Sequence, residues 1–111
     1  MLDFDSKGNL YDLVLVNGVL IHQDPTHLSL CYKRIAELAS CFVVIAESHN
    51  PTPIEIEYRG EKARYFKRDF AREFLVQNSN FKLLDCYFAY TGINANYDDS
   101  LMVTMKRNDS I

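Results

Sequence analysis

Residues 11–46 read YDLVLVNGVLIHQDPTHLSLCYKRIAELASCFVVIA, and this stretch decides the fold. Residues 11–21 are a nearly continuous apolar run rich in Val, Leu and Ile. That is the pattern of a strand covered on both faces, and it implies a parallel sheet. In the next segment Asp24 is placed to cap a helix whose first position is Pro25, where the missing N–H costs nothing. Leu28, Cys31, Tyr32, Ile35, Leu38 and Ala39 then recur along one helical stripe. Residues 42–46 (FVVIA) are short and rich in β-branched side chains, a second strand. Strand, helix, strand is a βαβ unit, which is expected to be right-handed.

Outward from this unit the pattern changes. Residues 47–70 (ESHNPTPIEIEYRGEKARYFKRDF) combine two prolines, a glycine and dense charge, so they read as a long loop, and long ordered loops tend to carry function. Phe70, Ala71, Phe74 and Leu75 sit at helical spacing and predict a second helix over residues 67–77. Residues 81–90 (FKLLDCYFAY) and 100–106 (SLMVTMK) predict two strands joined by the turn-rich TGINANYDD. Tyr87, Phe88 and Tyr90 are read as core and sheet-face residues. The predicted order is β-α-β-loop-α-β-β, an α/β fold ending in an antiparallel hairpin. Residues 1–10 form a lead-in, residues 11–107 a single α/β domain, and residues 108–111 a frayed tail.

Composition narrows the function classes. A chain of 111 residues with 48% hydrophobic content forms one core. Twelve basic residues against fifteen acidic ones leave no positive field for nucleic acid or an anionic membrane. Cys31, Cys41 and Cys86 are odd in number and never in a CxxC pair, so neither a disulfide framework nor a zinc site is expected. The N-terminal residues lack the basic and apolar regions of a secretory signal. The longest apolar run is about ten residues, too short for a bilayer. A soluble protein of the reducing cytoplasm is the expectation.

Three blocks, LVNGVLIHQDP, AESHNPTPIEIEYRGEKARYFKRDFAREFL and YDDSLMVTMKRN, resemble successive segments of the methylases associated with pseudaminic acid biosynthesis, a group of class I S-adenosylmethionine-dependent methyltransferases. The resemblance spans roughly residues 11–107, and NPTPIEIEYRG followed by FKRDFA is its most specific part. It implies half of a Rossmann-like methyltransferase sheet: strand four, helix, strand five, helix, strand six and a reversed strand seven inserted between five and six. It also implies a glycine-rich cofactor loop after the family's first strand. Gly8, Gly18, Gly60 and Gly92 fall in no GxGxxG arrangement here, so an S-adenosylmethionine site is not complete in one copy by the usual route. The strand at residues 11–17 would then lack its usual neighbour and present an apolar edge. Partnership follows as an expectation, either a homo-oligomer through that edge or a separate cofactor-binding chain.

Candidate site residues follow the strand ends, because ligands of open α/β sheets lie beyond the carboxyl ends of the strands. Asn17 and Gly18, by resemblance, lie near the cofactor. His22 is a candidate general base, or a loop histidine that hydrogen-bonds locally. Glu47, His49 and Asn50 follow the second strand, and Glu47 is a candidate catalytic carboxylate for orienting an acceptor, with Asn50 a substrate ligand. His49 stands where the family pattern leads one to expect an aromatic residue, so no catalytic role is assigned to it. Arg59, Lys62, Arg64, Lys67 and Arg68 interleave with Tyr58, Tyr65 and Phe66, a composition suited to a nucleotide-sugar-like anion with a ring that stacks. From this group Tyr58, Arg59, Lys67 and Arg68 are the substrate-binding candidates. The alternative is a solvated charged loop, since Glu55, Glu57 and Glu61 offset much of the cluster. The three histidines lack metal-ligand spacing, and no metal is expected.

Three functions remain open at this point. One is a methyltransferase-like module, non-catalytic or partner-dependent, that binds an anion. Another is a methyltransferase component whose cofactor site is completed by an oligomer or partner chain. The third is a truncated remnant without selected activity.

Overall fold

The computed structural model describes residues 8–58, 61–89 and 99–109, without the side chains of residues 56–58 and 61–65. Strand β1 (Tyr11–Asn17) leads through 3₁₀ turns at Leu20–His22 and Pro25–His27 into helix α1 (Leu28–Leu38). Strand β2 (Ala39–Ser48) follows without a loop. The hairpin strands β3 (Ile54–Tyr58) and β4 (Glu61–Lys67), helix α2 (Phe70–Gln77), and strands β5 (Phe81–Ala89) and β6 (Ser100–Arg107) complete the chain.

The main sheet has the order β1-β2-β6-β5. β1 runs parallel to β2, while β6 pairs antiparallel with both β2 and β5. The reversed last strand is thus inserted between β2 and β5, as the resemblance implies. Val14 and Val16 of β1, Val43 and Ile45 of β2, and Val103 and Met105 of β6 share one face through this register. Both helices pack on that face. Phe74, Leu20, Ile35, Ile45, Met105, Val16, Val43 and Cys31 are its most deeply buried side chains.

Local chemistry explains the element ends. The Asp24 carboxylate accepts the Thr26 N–H at 2.9 Å and the Thr26 hydroxyl at 2.8 Å. It therefore caps the 3₁₀ turn that begins at Pro25, one turn ahead of α1, which starts only at Leu28. Helix α1 ends without a glycine, and Arg107 takes over the job of a C-cap. Its Nη1 donates to the carbonyls of Ala36 at 3.2 Å and Ala39 at 3.1 Å, groups that the last helical turn leaves without partners. Asp69 caps α2 by accepting the Arg72 N–H.

Three expectations are corrected. Residues 47–70 are no loop: Ile54, Ile56 and Tyr58 alternate with Glu55 and Glu57, a period-two strand signal, and β3 pairs with β4 in a two-stranded sheet. β1 is covered on one face only, with Leu13 53% and Leu15 60% exposed, because α1 and α2 lie on the same side of the sheet. Tyr87 and Phe88 lie outside the core, 64% and 46% exposed, since β5 is an edge strand. Tyr90 lies outside the described residues. Among the described residues no helix is long and apolar enough to cross a membrane.

Candidate functional site

The carboxyl ends of the parallel strands β1 and β2 meet at a cavity of about 180 Å³. Asn17, Gly18 and Glu47 line it, joined by Ser48, Ser100, Met102 and Tyr87. Gly18 has φ +68°, a left-handed conformation that side-chain-bearing residues adopt at a cost. Its N–H bonds the Ala46 carbonyl at 3.1 Å, so the chain turns sharply off β1 while still held against β2.

Glu47 organises this turn. It is 4% exposed, and its carboxylate accepts the backbone N–H of Val19 at 3.0 Å and of Ile21 at 3.2 Å. Burial pushes its pKa up, and the surrounding backbone N–H groups pull the other way. A buried carboxyl group that accepts backbone amides is a fixed point around which the segment 18–21 wraps. His22, at the end of that segment, is exposed and does not line the cavity.

The other side of Glu47 faces His49 and Arg68. The His49 N–H bonds the Asp99 carbonyl at 2.8 Å, its ring meets Phe88 edge-on at 6.1 Å, and it forms a parallel bridge with Arg68. Asn50 donates its side-chain amide to the Thr52 carbonyl. Arg68 is engaged through Nε with Glu73 at 2.8 Å. Glu73 also accepts the Tyr32 hydroxyl at 2.8 Å, and burial together with this carboxylate pushes the Tyr32 pKa well up.

The predicted site residues thus divide. Asn17, Gly18 and Glu47 come together at the strand ends, with Glu47 touching backbone amides. Asn50, Lys67 and Arg68 gather separately where β2 leaves the sheet and β4 ends. The side chain of Tyr58, and Arg59 entirely, lie outside the described residues. Ser48, Ser100, Tyr87 and Met102 were not singled out from sequence as a site, and only the strand register, which aligns Ala46, Met102 and Tyr87, reveals them. Among the described residues no cluster of three His, Cys, Asp or Glu side chains is placed to hold a metal.

No known protein family's sequence profile matches the chain, and no curated protein matches it. Solved structures do. The chain superposes on Burkholderia thailandensis 1,6-didemethyltoxoflavin-N1-methyltransferase, which binds 1,6-didemethyltoxoflavin and S-adenosylhomocysteine, with TM-score 0.74 and 18% identity, covering 97% of this chain and 48% of that one. A magnesium protoporphyrin IX methyltransferase from Synechocystis PCC 6803, with bound S-adenosylhomocysteine, gives TM-score 0.61 and 20% identity, covering 90% and 46%. A SAM-dependent methyltransferase from Leishmania major gives TM-score 0.65 and 11% identity, covering 89% and 39%. The fold is that of Rossmann-like methyltransferases, and the chain spans half or less of these three.

Proposed function

We propose that the chain is a methyltransferase-like module that carries the acceptor side of such a fold, binds a nucleotide-sugar-like anion, and depends on a complementary cofactor-binding half for methyl transfer. The observation that carries this reading is the match to methyltransferase structures over nearly all of this chain but only 48% and 46% of the two that hold S-adenosylhomocysteine. Within the chain, Glu47 acts as a positioning residue whose carboxylate fixes the turn leading to His22. His22 is the group offered to an acceptor hydroxyl as a base.

The anion site is Asn50, Lys67 and Arg68, with Tyr58 and Arg59 named for it by the sequence. With Arg68 Nε on Glu73, the Nη edge of the guanidinium is the part that meets a phosphate. The resemblance to methylases of pseudaminic acid biosynthesis supports a sugar as the anion's other part. Cys31, Cys41 and Cys86 are unbridged, which suits a reducing cytoplasm.

Calorimetric titration with UDP-N-acetylglucosamine, against N-acetylglucosamine lacking phosphate, tests the binding claim. Saturable binding of the nucleotide sugar alone, weakened at least about tenfold, or 1.4 kcal/mol, by Lys67→Ala, is the expected result. Equal or absent response to both sugars contradicts it.

A further inference from the structure

We propose that the groove between α1 and α2 is a binding site for the base of a nucleoside phosphate, free or carrying a sugar, whose phosphate is held at Arg68 and Arg72. This rests on the anion site of the proposed function and adds where the ring of the ligand lies.

The groove has a volume of about 420 Å³, against about 180 Å³ at the strand ends, and it falls within the range of small-molecule sites, about 300–1,000 Å³. Leu28 and Tyr32 of α1 are both buried and form its floor. Phe74 meets the Tyr32 ring edge-on at 6.2 Å, and the Tyr32 hydroxyl donates to Glu73. The floor is therefore a fixed apolar surface whose polar atom already has its partner. Val76 of α2, 80% exposed, and Pro25, one turn ahead of α1, rim it.

Polar groups stand at the two ends. At one, Arg68 gives its Nε to Glu73 at 2.8 Å and Arg72 gives its Nε to Asp69 at 3.1 Å. Each guanidinium is thereby oriented, and its Nη atoms are the donors that meet a phosphate. The four charges cancel, so this end selects by hydrogen-bond geometry more than by attraction of any anion. At the other end Gln77 donates Nε2 to the Ser29 carbonyl at 2.7 Å, which ties the helices together and leaves Oε1 as the acceptor of the side chain. Arg72 and Val76, like Glu73 and Gln77, are four residues apart and share one face of α2. From Arg72 to Gln77 the helix rises about 7.5 Å. Cation, apolar wall and amide acceptor thus follow one another in the order of phosphate, ring face and the N–H-bearing edge of a base. A sugar phosphate without a base uses the first of these alone. Arg68 lines both this groove and the smaller cavity beside His49, and its carbonyl accepts the Asn50 N–H, so it joins the groove to the anion site.

UMP, ribose 5-phosphate and UDP-N-acetylglucosamine are titrated into the chain by calorimetry, and the Val76 and Leu28 methyl protons are followed by NMR in the same titrations. UMP and UDP-N-acetylglucosamine are expected to bind at least about tenfold tighter than ribose 5-phosphate, which carries a phosphomonoester like that of UMP and no base. Both move the Val76 methyls upfield, the ring-current shift of a base lying over them, and ribose 5-phosphate leaves them in place. Val76→Gln, at an exposed helical position, keeps the unfolding midpoint, weakens UMP about three- to fivefold and leaves ribose 5-phosphate unchanged. Equal binding of UMP and ribose 5-phosphate, or methyls unmoved at saturation, overturns the inference. If UDP-N-acetylglucosamine binds and Lys67→Ala weakens it while these methyls stay in place, the anion site stands and the groove alone is refuted. If UMP shifts the methyls and UDP-N-acetylglucosamine does not bind, the groove stands and the nucleotide-sugar reading fails. No binding of any of the ligands refutes both.

Discussion

Glu47 Oε2 accepts the backbone N–H of Val19 at 3.0 Å, tying the end of one parallel strand to the turn that leaves the other. The bond spans 28 residues of sequence, and with the Ile21 bond it makes one buried carboxylate the anchor of the whole segment 18–21. Removing it leaves two backbone donors in a dry site. Glu47→Ala is expected to cost about 2–4 kcal/mol, measured by urea unfolding, and to speed exchange of the Val19 and Ile21 amides. A loss below about 0.5 kcal/mol counts against this anchor.

The same carboxylate sets a pH dependence. Burial raises its folded-state pKa, so the folded chain holds the proton more tightly than the unfolded one. The resulting stability is present below about pH 4.5, the ordinary glutamate value, and is lost as pH rises through the folded value. Wild type measured relative to Glu47→Gln therefore weakens as pH climbs from about 4.5 toward neutrality. A difference that is flat or grows in favour of wild type contradicts the assignment.

Gly18 has φ +68° with open space where a Cβ would project. The cost of Gly18→Ala is therefore backbone strain alone, about 1–2 kcal/mol, and Gly18→Asn loses less, since Asn tolerates this conformation. Unfolding midpoints of the two variants check the order.

Arg107 closes the end of α1 through the Ala36 and Ala39 carbonyls and lies over the Phe81 ring at 5.4 Å. Arg107→Ala is expected to lose about 1.5–3 kcal/mol and Arg107→Lys to recover part of it. Equal stability of all three proteins would show that the carbonyls find water instead.

Much of the architecture is legible in the residues. The Val- and Ile-rich runs and the single amphipathic helix between them define β1, α1 and β2, and Phe70, Ala71 and Phe74 mark α2. The hairpin β3–β4 is hidden because Pro51, Pro53 and the flanking charges signal a loop more loudly than IEIEY signals a strand. The state of β1 is hidden for a different reason. An apolar run reports that a strand is made to be covered, not which of its faces the described residues cover. Glu47 and its amide partners are illegible because nothing in sequence marks a bond between residues 26 and 28 positions apart. For the same reason Tyr87 reads as a core and sheet-face residue, when the register sets it on the open face beside the cavity.

The central proposal is that this chain, which holds the fold of a methyltransferase half, depends on a complementary half to complete a cofactor site. Calorimetric titration of the purified chain with S-adenosylmethionine tests it most directly. The account predicts no saturable heat up to about millimolar cofactor, where even binding of about −4 kcal/mol would be seen. Stoichiometric binding by the chain alone would contradict it.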